Sequence, residues 1–391
     1  MPAPTRRILH VLDSMDRGGI AAWLMTVLRH VQQDGFHLDF LVHTDKPCAY
    51  DEEARSLGAE IIPCPGHQNL WSYTSRFSRV LREYGPYHVL HGHCHRFTGL
   101  NLYLAHRAGI PIRIAHSHND VRSLQVDWGF VRHGYHRLMD RLIDRYATVG
   151  LAASRMAAED LFGPDWRSDP RWRILFCGID FSPFRAAYDR LSVMEELGLA
   201  PDARVLTHVG RFTHQKNCPF ILDVFSHALK KEPRLRLLFV GDGVLEETVR
   251  EEVDRRGLTE VVAFLGSRPD VPRLLLSVTD LFVFPSLYEG LGLALVEAQA
   301  AGVACLISEN IPEEADVAPA LVTRLSLSLP ASRWAEEALS LLNQDRGISQ
   351  EQALVLAENS PINIVNSVRQ LEATYLNEYE ANGYGNGPQG G

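Results

Sequence analysis

The sequence predicts an α/β protein built as two doubly wound domains, and three observations carry that prediction. Short runs of Val, Ile, Leu and Phe recur along the chain, each bounded by Gly or Pro. Longer amphipathic stretches fill the intervals, which is the rhythm of strand–helix units around parallel sheets buried on both faces. The rhythm breaks once, between Phe184 and Asp202, where Pro183 and Pro201 flank a short helical stretch, and then restarts. A length of 391 residues suits two domains of about 150–200 residues each.

In order, the expected strands of the first half are Ile8–Leu12, Leu38–His43, Ala59–Ile62, His88–His91, Ile110–Ala115, Thr148–Ala152 and Arg173–Phe176, with helical patterns such as Ala21–Gln33 and Tyr73–Tyr84 between them. In the second half they are Val205–Val209, Leu235–Val240, Val261–Leu265, Leu281–Phe284 and Val303–Ile307. The expected division is a first domain over 1–182, a linker over 183–202, a second domain over 203–361, a last helix over 362–380 and a disordered Gly-rich tail over 381–391. Two such Rossmann-like domains would face each other across a cleft. Their ligands would sit at the carboxyl ends of the strands, where loops enter helix N-termini.

Composition narrows the class. Hydrophobic residues make up 46% and charged residues 22%, an ordinary globular balance. Residues 1–180 hold 21 Lys and Arg against 19 Asp and Glu, and the remainder 18 against 29. Neither half has the basic excess of a nucleic-acid binder. The six cysteines include no Cys-x-x-Cys pair and read as free thiols of a reducing compartment. With no apolar run near the length of a spanning helix, the expectation is a cytoplasmic protein. One stretch, 129–146, is basic and amphipathic. It can rest on the inner face of a membrane as a peripheral contact, or simply pack on its domain.

Four loops at strand ends carry the chemistry. Gly18-Gly19 follows the first strand and lets the backbone approach a ligand closely. In the second half, Gly210-Arg211 and then Lys216 follow strand Val205–Val209, a guanidinium fork and a point charge able to converge on a diphosphate. Gly241 and Gly266 end the next two strands. The most informative stretch runs from Glu289 through Gly290, Leu291 and Gly292 to Glu297. Eight residues of helix rise about 12 Å, the span from a donor sugar to its ribose across a diphosphate, with the free helix N-terminus facing the phosphates. His91-Gly92-His93-Cys94-His95 holds zinc-type ligands, but side chains alternate along a strand, and no metal is expected there. No Asp-x-Asp occurs, so nothing supports a metal bridge on a diphosphate.

These motifs resemble those of the retaining glycosyltransferases of family 4, which have the GT-B architecture. Glu289 to Glu297 resembles the family's Glu-x7-Glu motif. Arg211 and Lys216 match its phosphate-binding pair. Ile174 to Asp180 resembles its domain-closing turn, with Cys177 where Asn is usual. The Gly18-Gly19 loop and the segment Arg113 to Asn119 are similar to the bacterial exopolysaccharide branch, and the resemblance spans about residues 6–365. It implies that Glu297 binds the donor ribose, Glu289 the transferred sugar, and Arg211 and Lys216 the diphosphate, and that His118 or His116 touches the sugar. Where family members often carry an acidic residue after the paired glycines, this chain has Ala21 and Ala22. The implied reaction moves a sugar, with retention, from a nucleoside-diphosphate donor (a uridine one by expectation) to a hydroxyl of a glycan or lipid-linked acceptor. No cofactor is implied, since the nucleotide sugar is a substrate. The competing readings are a sugar-nucleotide epimerase of the same fold and a non-catalytic nucleotide-sugar sensor.

Overall fold

The computed structural model describes residues 5–32, 35–119, 130–345 and 347–377. The expected tail at 381–391, and Gly129 at the start of the basic stretch, lie outside the described residues. Contacts divide the chain into two units at Gly178/Ile179 and again at Asn363/Ile364.

The first unit holds strands β1 (Arg6–Leu12), β2 (Phe36–Val42), β3 (Ile61–Pro63), β4 (Val89–Gly92), β5 (Ile112–Ser117), β6 (Val149–Ala152) and β7 (Trp172–Ile174). They form one sheet in the order β3-β2-β1-β4-β5-β6-β7, with every pair parallel. The second unit holds β8 (Arg204–Val209), β9 (Leu235–Val240), β10 (Val262–Phe264), β11 (Leu281–Phe284), β12 (Ala304–Ser308) and β13 (Val322–Leu325), in the order β10-β9-β8-β11-β12-β13 and again all parallel. Both sheets share the doubly wound order, which reverses between β1 and β4 and between β8 and β11. Those two switch points are where ligands of open α/β sheets bind.

Continuous apolar strands follow from burial on both sheet faces. In the second unit Leu206, Leu237 and Val283 pack with Phe225 and Trp334, while the alternating residues Val205, Leu238 and Val240 pack with Val193 and Met194. That second cluster corrects the expected linker. The helix Arg190–Glu196 inside 183–202 buries Val193 and Met194 against β8 and β9, so the segment is part of the second unit's core.

The last helix, Ile364–Leu376, belongs to the first unit rather than standing apart. It packs on the helix Gly19–His30 and on β1, with Trp23 Nε1 donating to Ser367 Oγ at 3.3 Å. Gly178 makes that return possible, because a Cβ there would lie 2.6 Å from Ile364 Cα. Among the described residues, no helix is long and apolar enough to cross a membrane.

Candidate active site

In the second unit the predicted donor residues gather at the β8/β11 switch point. The loop after β8 is tied to the end of β9: Gly210 N donates to Val240 O and Phe212 N to Asp242 O. A Cβ on Gly241, whose φ is +140°, would stand 2.1 Å from Gly210 O. That contact, and not turn geometry alone, requires glycine at 241. Gly266 accepts from Gly241 N at 2.8 Å. Arg211 projects from this loop exposed, and its guanidinium has no partner among the described residues.

Lys216 and Glu289 meet directly, with Nζ 2.5 Å from Oε1, while Gln215 donates to Oε2 at 3.2 Å and to the Tyr288 carbonyl at 2.9 Å. Lys216 Nζ also stands 4.5 Å from the centre of the Phe284 ring. Left-handed Asn217 (φ 55°) closes the turn before the next helix, and its side chain donates to the Pro285 carbonyl. The carboxylate of Glu289 is 7% exposed, so this is a largely buried ion pair, each charge dependent on the other.

The helix after Glu289 runs Leu293–Ala300, with Gly292 at its N-cap in the left-handed region (φ +88°) and no side-chain cap. Gly290 and Leu291 are buried in the loop before it. This corrects the expected spacing: only Leu293 to Glu297 is helical, a rise of about 6 Å, and the remainder of the Glu289–Glu297 interval is loop. Glu297 is half-buried, has no partner among the described residues, and burial pushes its carboxyl up to about 7.

In the first unit Gly18 caps the helix Gly19–His30, and a Cβ on Gly19 would meet nothing within 4 Å. Packing within the unit therefore does not require the second glycine. His116 and His118 are buried, at 0% and 8% exposure. Their rings join a chain of imidazoles. His118 Nδ1 lies 3.5 Å from Cys177 Sγ and its Nε2 2.8 Å from His93 Nδ1. His93 Nε2 meets His10 Nδ1 at 3.0 Å, and Tyr375 OH stands between His10 and His91. His91 Nε2 then meets His116 Nδ1 at 3.1 Å. Burial drives all five imidazoles to the neutral form, His10 and His118 to pKa values of about 3. Both nitrogens of His118 are thus engaged inside its own unit.

Comparison with known proteins gives the family and the fold. The family described as glycosyl transferases group 1 matches residues 189–362, and the glycosyl transferase 4-like domain matches residues 18–172. EpsF of Bacillus subtilis (strain 168) is 37% identical over 342 residues, covering 86% of this chain and 88% of EpsF. The chain belongs to the family 4-like glycosyltransferases. The capsular polysaccharide biosynthesis glycosyltransferase CapH of Staphylococcus aureus is 24% identical to this transferase over 348 residues, 88% of this chain and 92% of CapH. Among solved structures, HepE of Anabaena superposes with a TM-score of 0.79 at 17% identity, covering 95% of this chain and 99% of HepE. WaaG, a glycosyltransferase involved in lipopolysaccharide biosynthesis, superposes at 0.67 and 18% identity, covering 97% and 100%. At these identities both show the GT-B fold.

Three side chains of the second unit had no role assigned to them from the sequence. Gln215 holds Glu289. His208 is buried, with Nδ1 on the Val283 carbonyl at 3.0 Å, and burial pushes it down to about 3, so Nδ1 carries the proton. Its Nε2 has no partner among the described residues and lies 3.2 Å from where a Cβ on Gly210 would stand. Ser286 Oγ is likewise buried and without a partner among the described residues. A His inside the first strand of the second domain was the available signal for one of them.

Proposed function

We propose that the chain transfers a sugar, with retention of configuration, from a uridine-diphosphate sugar to a hydroxyl of a glycan or lipid-linked acceptor in surface-polysaccharide synthesis. The observation that carries this reading is the set of charges at the β8/β11 switch point. Among the described residues Arg211 and Glu297 have no partner there, and Lys216 is neutralised by Glu289. A diphosphate supplies oxygens to Arg211 and to Lys216, which releases the Glu289 carboxylate for sugar hydroxyls. Glu297, five residues into its helix, is the acceptor for ribose hydroxyls. Free N–H groups at the uncapped helix start favour the phosphate end of the ligand. A uridine donor is supported by HepE, whose structures hold UDP-glucose and UDP with glucose.

The chemistry then needs no enzyme nucleophile. The bond from the anomeric carbon to the phosphate oxygen breaks, the bond to the acceptor oxygen forms on the same face, and the acceptor proton passes to the departing phosphate. Arg211 and Lys216 stabilise the charge that grows on that phosphate. The acceptor falls to the first unit, where the Gly18-Gly19 loop ends β1. His116 and His118 remain within that unit's imidazole chain.

The test separates ligand fragments. By calorimetry, Glu297→Ala weakens uridine diphosphate and intact donor alike by about 10- to 150-fold, the worth of hydrogen bonds to a carboxylate. Glu289→Ala weakens the intact donor but leaves the diphosphate nearly unchanged. Equal losses for both ligands in both variants would reduce the motif to a fold element and end this assignment.

A further inference from the structure

The other switch point carries donors of a different kind. Asp13 follows β1, His43 follows β2 and Cys94 follows β4 by two residues, so the doubly wound order brings three separated residues to one place. His43 Nδ1 lies 3.1 Å from Asp13 Oδ1 and 3.9 Å from Cys94 Sγ, and all three donor atoms fall within 4.8 Å of one another. They line a cavity of about 450 Å³ in the first unit, with His67, Phe97 and Tyr135 among its walls.

The proton arrangement at His43 is informative. Tyr73 OH donates to Asn101 Oδ1 at 2.8 Å, so its oxygen accepts from His43 Nε2 at 3.0 Å. With Nε2 donating to Tyr73, a neutral His43 presents a lone pair at Nδ1. That lone pair faces a carboxylate oxygen at hydrogen-bond distance, with a sulfur beside it whose own hydrogen points to the Val11 carbonyl. A neutral His43 would set two acceptors 3.1 Å apart, so a positive charge belongs between them, either a second imidazole proton or a metal ion. An imidazole fixed through its other nitrogen, with a second residue behind the fixing group, is the usual support of a metal-binding histidine. A further observation points to the same place. His67 stacks on His43 with ring centres 4.9 Å apart, and its Nδ1 is buried without a partner among the described residues.

We propose that Asp13, His43 and Cys94 form a binding site for a zinc-class divalent cation, with a coordination position left open to the cavity. Charge selects this cluster over the imidazole chain nearby. A carboxylate and a thiolate cancel the two positive charges of the ion, whereas the groups His93, His116 and His118 offer neutral nitrogens only. Spacing agrees as well. Tetrahedral zinc with Zn–S of about 2.3 Å and Zn–N or Zn–O of about 2.0–2.1 Å puts the sulfur about 3.6 Å and the oxygen about 3.4 Å from the nitrogen, close to the distances found. The Cys94 proton leaves to solvent on binding, as it must for any thiolate ligand. The site belongs to the first unit, apart from Arg211, Lys216 and Glu289 of the second, and does not depend on the sugar-nucleotide reading.

Cobalt reports the ligand set directly. The full-length protein, stripped by chelator, is titrated with zinc by calorimetry and with cobalt by absorption, without nucleotide. The expected result is one ion per chain, tetrahedral d–d bands and a thiolate-to-cobalt charge-transfer band. Cys94→Ser abolishes the charge-transfer band, and Asp13→Asn weakens zinc by more than 10-fold. Asp13 is 83% exposed, so that variant keeps its fold. Tyr73→Phe, which removes only the support behind His43, weakens zinc by about 10- to 100-fold. Absence of binding overturns the proposal. So does cobalt bound without a thiolate band, or affinity unchanged in both Cys94→Ser and Asp13→Asn, which would move the ion to the imidazole chain or to the surface.

Discussion

Mild acid should unfold the first unit before the second. His10, His91, His116 and His118 are buried and neutral in the folded chain, and burial is the largest cause in each case. His10 and His118 titrate at about 3, with Asp39 the carboxylate that opposes the shift at His10. In the unfolded chain all four protonate near 6.5. Their folded values are depressed, so the unfolded state binds more protons as pH falls. Their stability contribution is full above about 6.5 and declines below it, until the folded values are reached. Between pH 7.5 and 5.5 each group costs about 1.4 kcal/mol, so four cost about 5–6 kcal/mol, a large part of the 5–15 kcal/mol typical of a domain. The second unit lacks such a set. There His208, lowered to about 3, is opposed by Glu297, raised to about 7, because a carboxyl that holds its proton in the folded state gains relative stability as pH falls. Calorimetric melting at pH 7.5, 6.5 and 5.5, with hydrogen exchange assigning each transition, should show protection lost in β1, β4 and β5 while β8, β9 and β11 keep theirs. A melting profile unchanged over this range, or equal loss in both sheets, would refute the burial of a neutral imidazole chain.

Two more substitutions test the donor unit. Arg211→Ala and Lys216→Ala should each lower turnover by about 100- to 1000-fold at little cost in donor affinity, since charge on the diphosphate grows as the glycosidic bond breaks. They should differ in stability. Arg211 has no partner among the described residues to leave behind, whereas removing Lys216 strands Glu289 and costs about 3–5 kcal/mol in denaturant unfolding. A rise in Michaelis constant at unchanged turnover would make both residues uniform binders. Gly241→Ala should destabilise the second unit and loosen the Arg211 loop, because the added carbon collides with the Gly210 carbonyl. Wild-type stability in that variant would show that the loops of β8 and β9 are not held together as described.

How far the sequence reads depends on what kind of information each feature needs. Twelve strands were legible because each is an apolar run with a breaker at its end. β13 was missed because Val322–Leu325 is half-buried throughout and sets Thr323 and Arg324 side by side between its only two apolar residues, which leaves no apolar run. The strand-end loops of the second unit were legible from their glycines, since a strand end followed by Gly is visible in one dimension. The Lys216–Glu289 pair was not, because its partners stand 73 residues apart and meet only through the adjacency of β8 and β11. The same limit hid the imidazole chain. His91-Gly92-His93 and His116-Ser117-His118 are each a His-x-His on a strand, and period-two alternation puts both members on one face. Only the pairing of β4 with β5 turns two such pairs into one cluster, and only the returning helix brings Tyr375 to it. Chain order alone therefore yields the strands. The strand order 3-2-1-4-5-6, used in both units, decides which strand ends become neighbours. In the second unit it joins β8 to β11 and so builds a buried ion pair beside an unpartnered arginine, a site for a polyanion. In the first it joins β1 to β4 and assembles a carboxylate, an imidazole and a thiol around one cavity, a site for a cation. One winding pattern, fed by different residues at its two switch points, thus suits the two proposed sites to ligands of opposite charge.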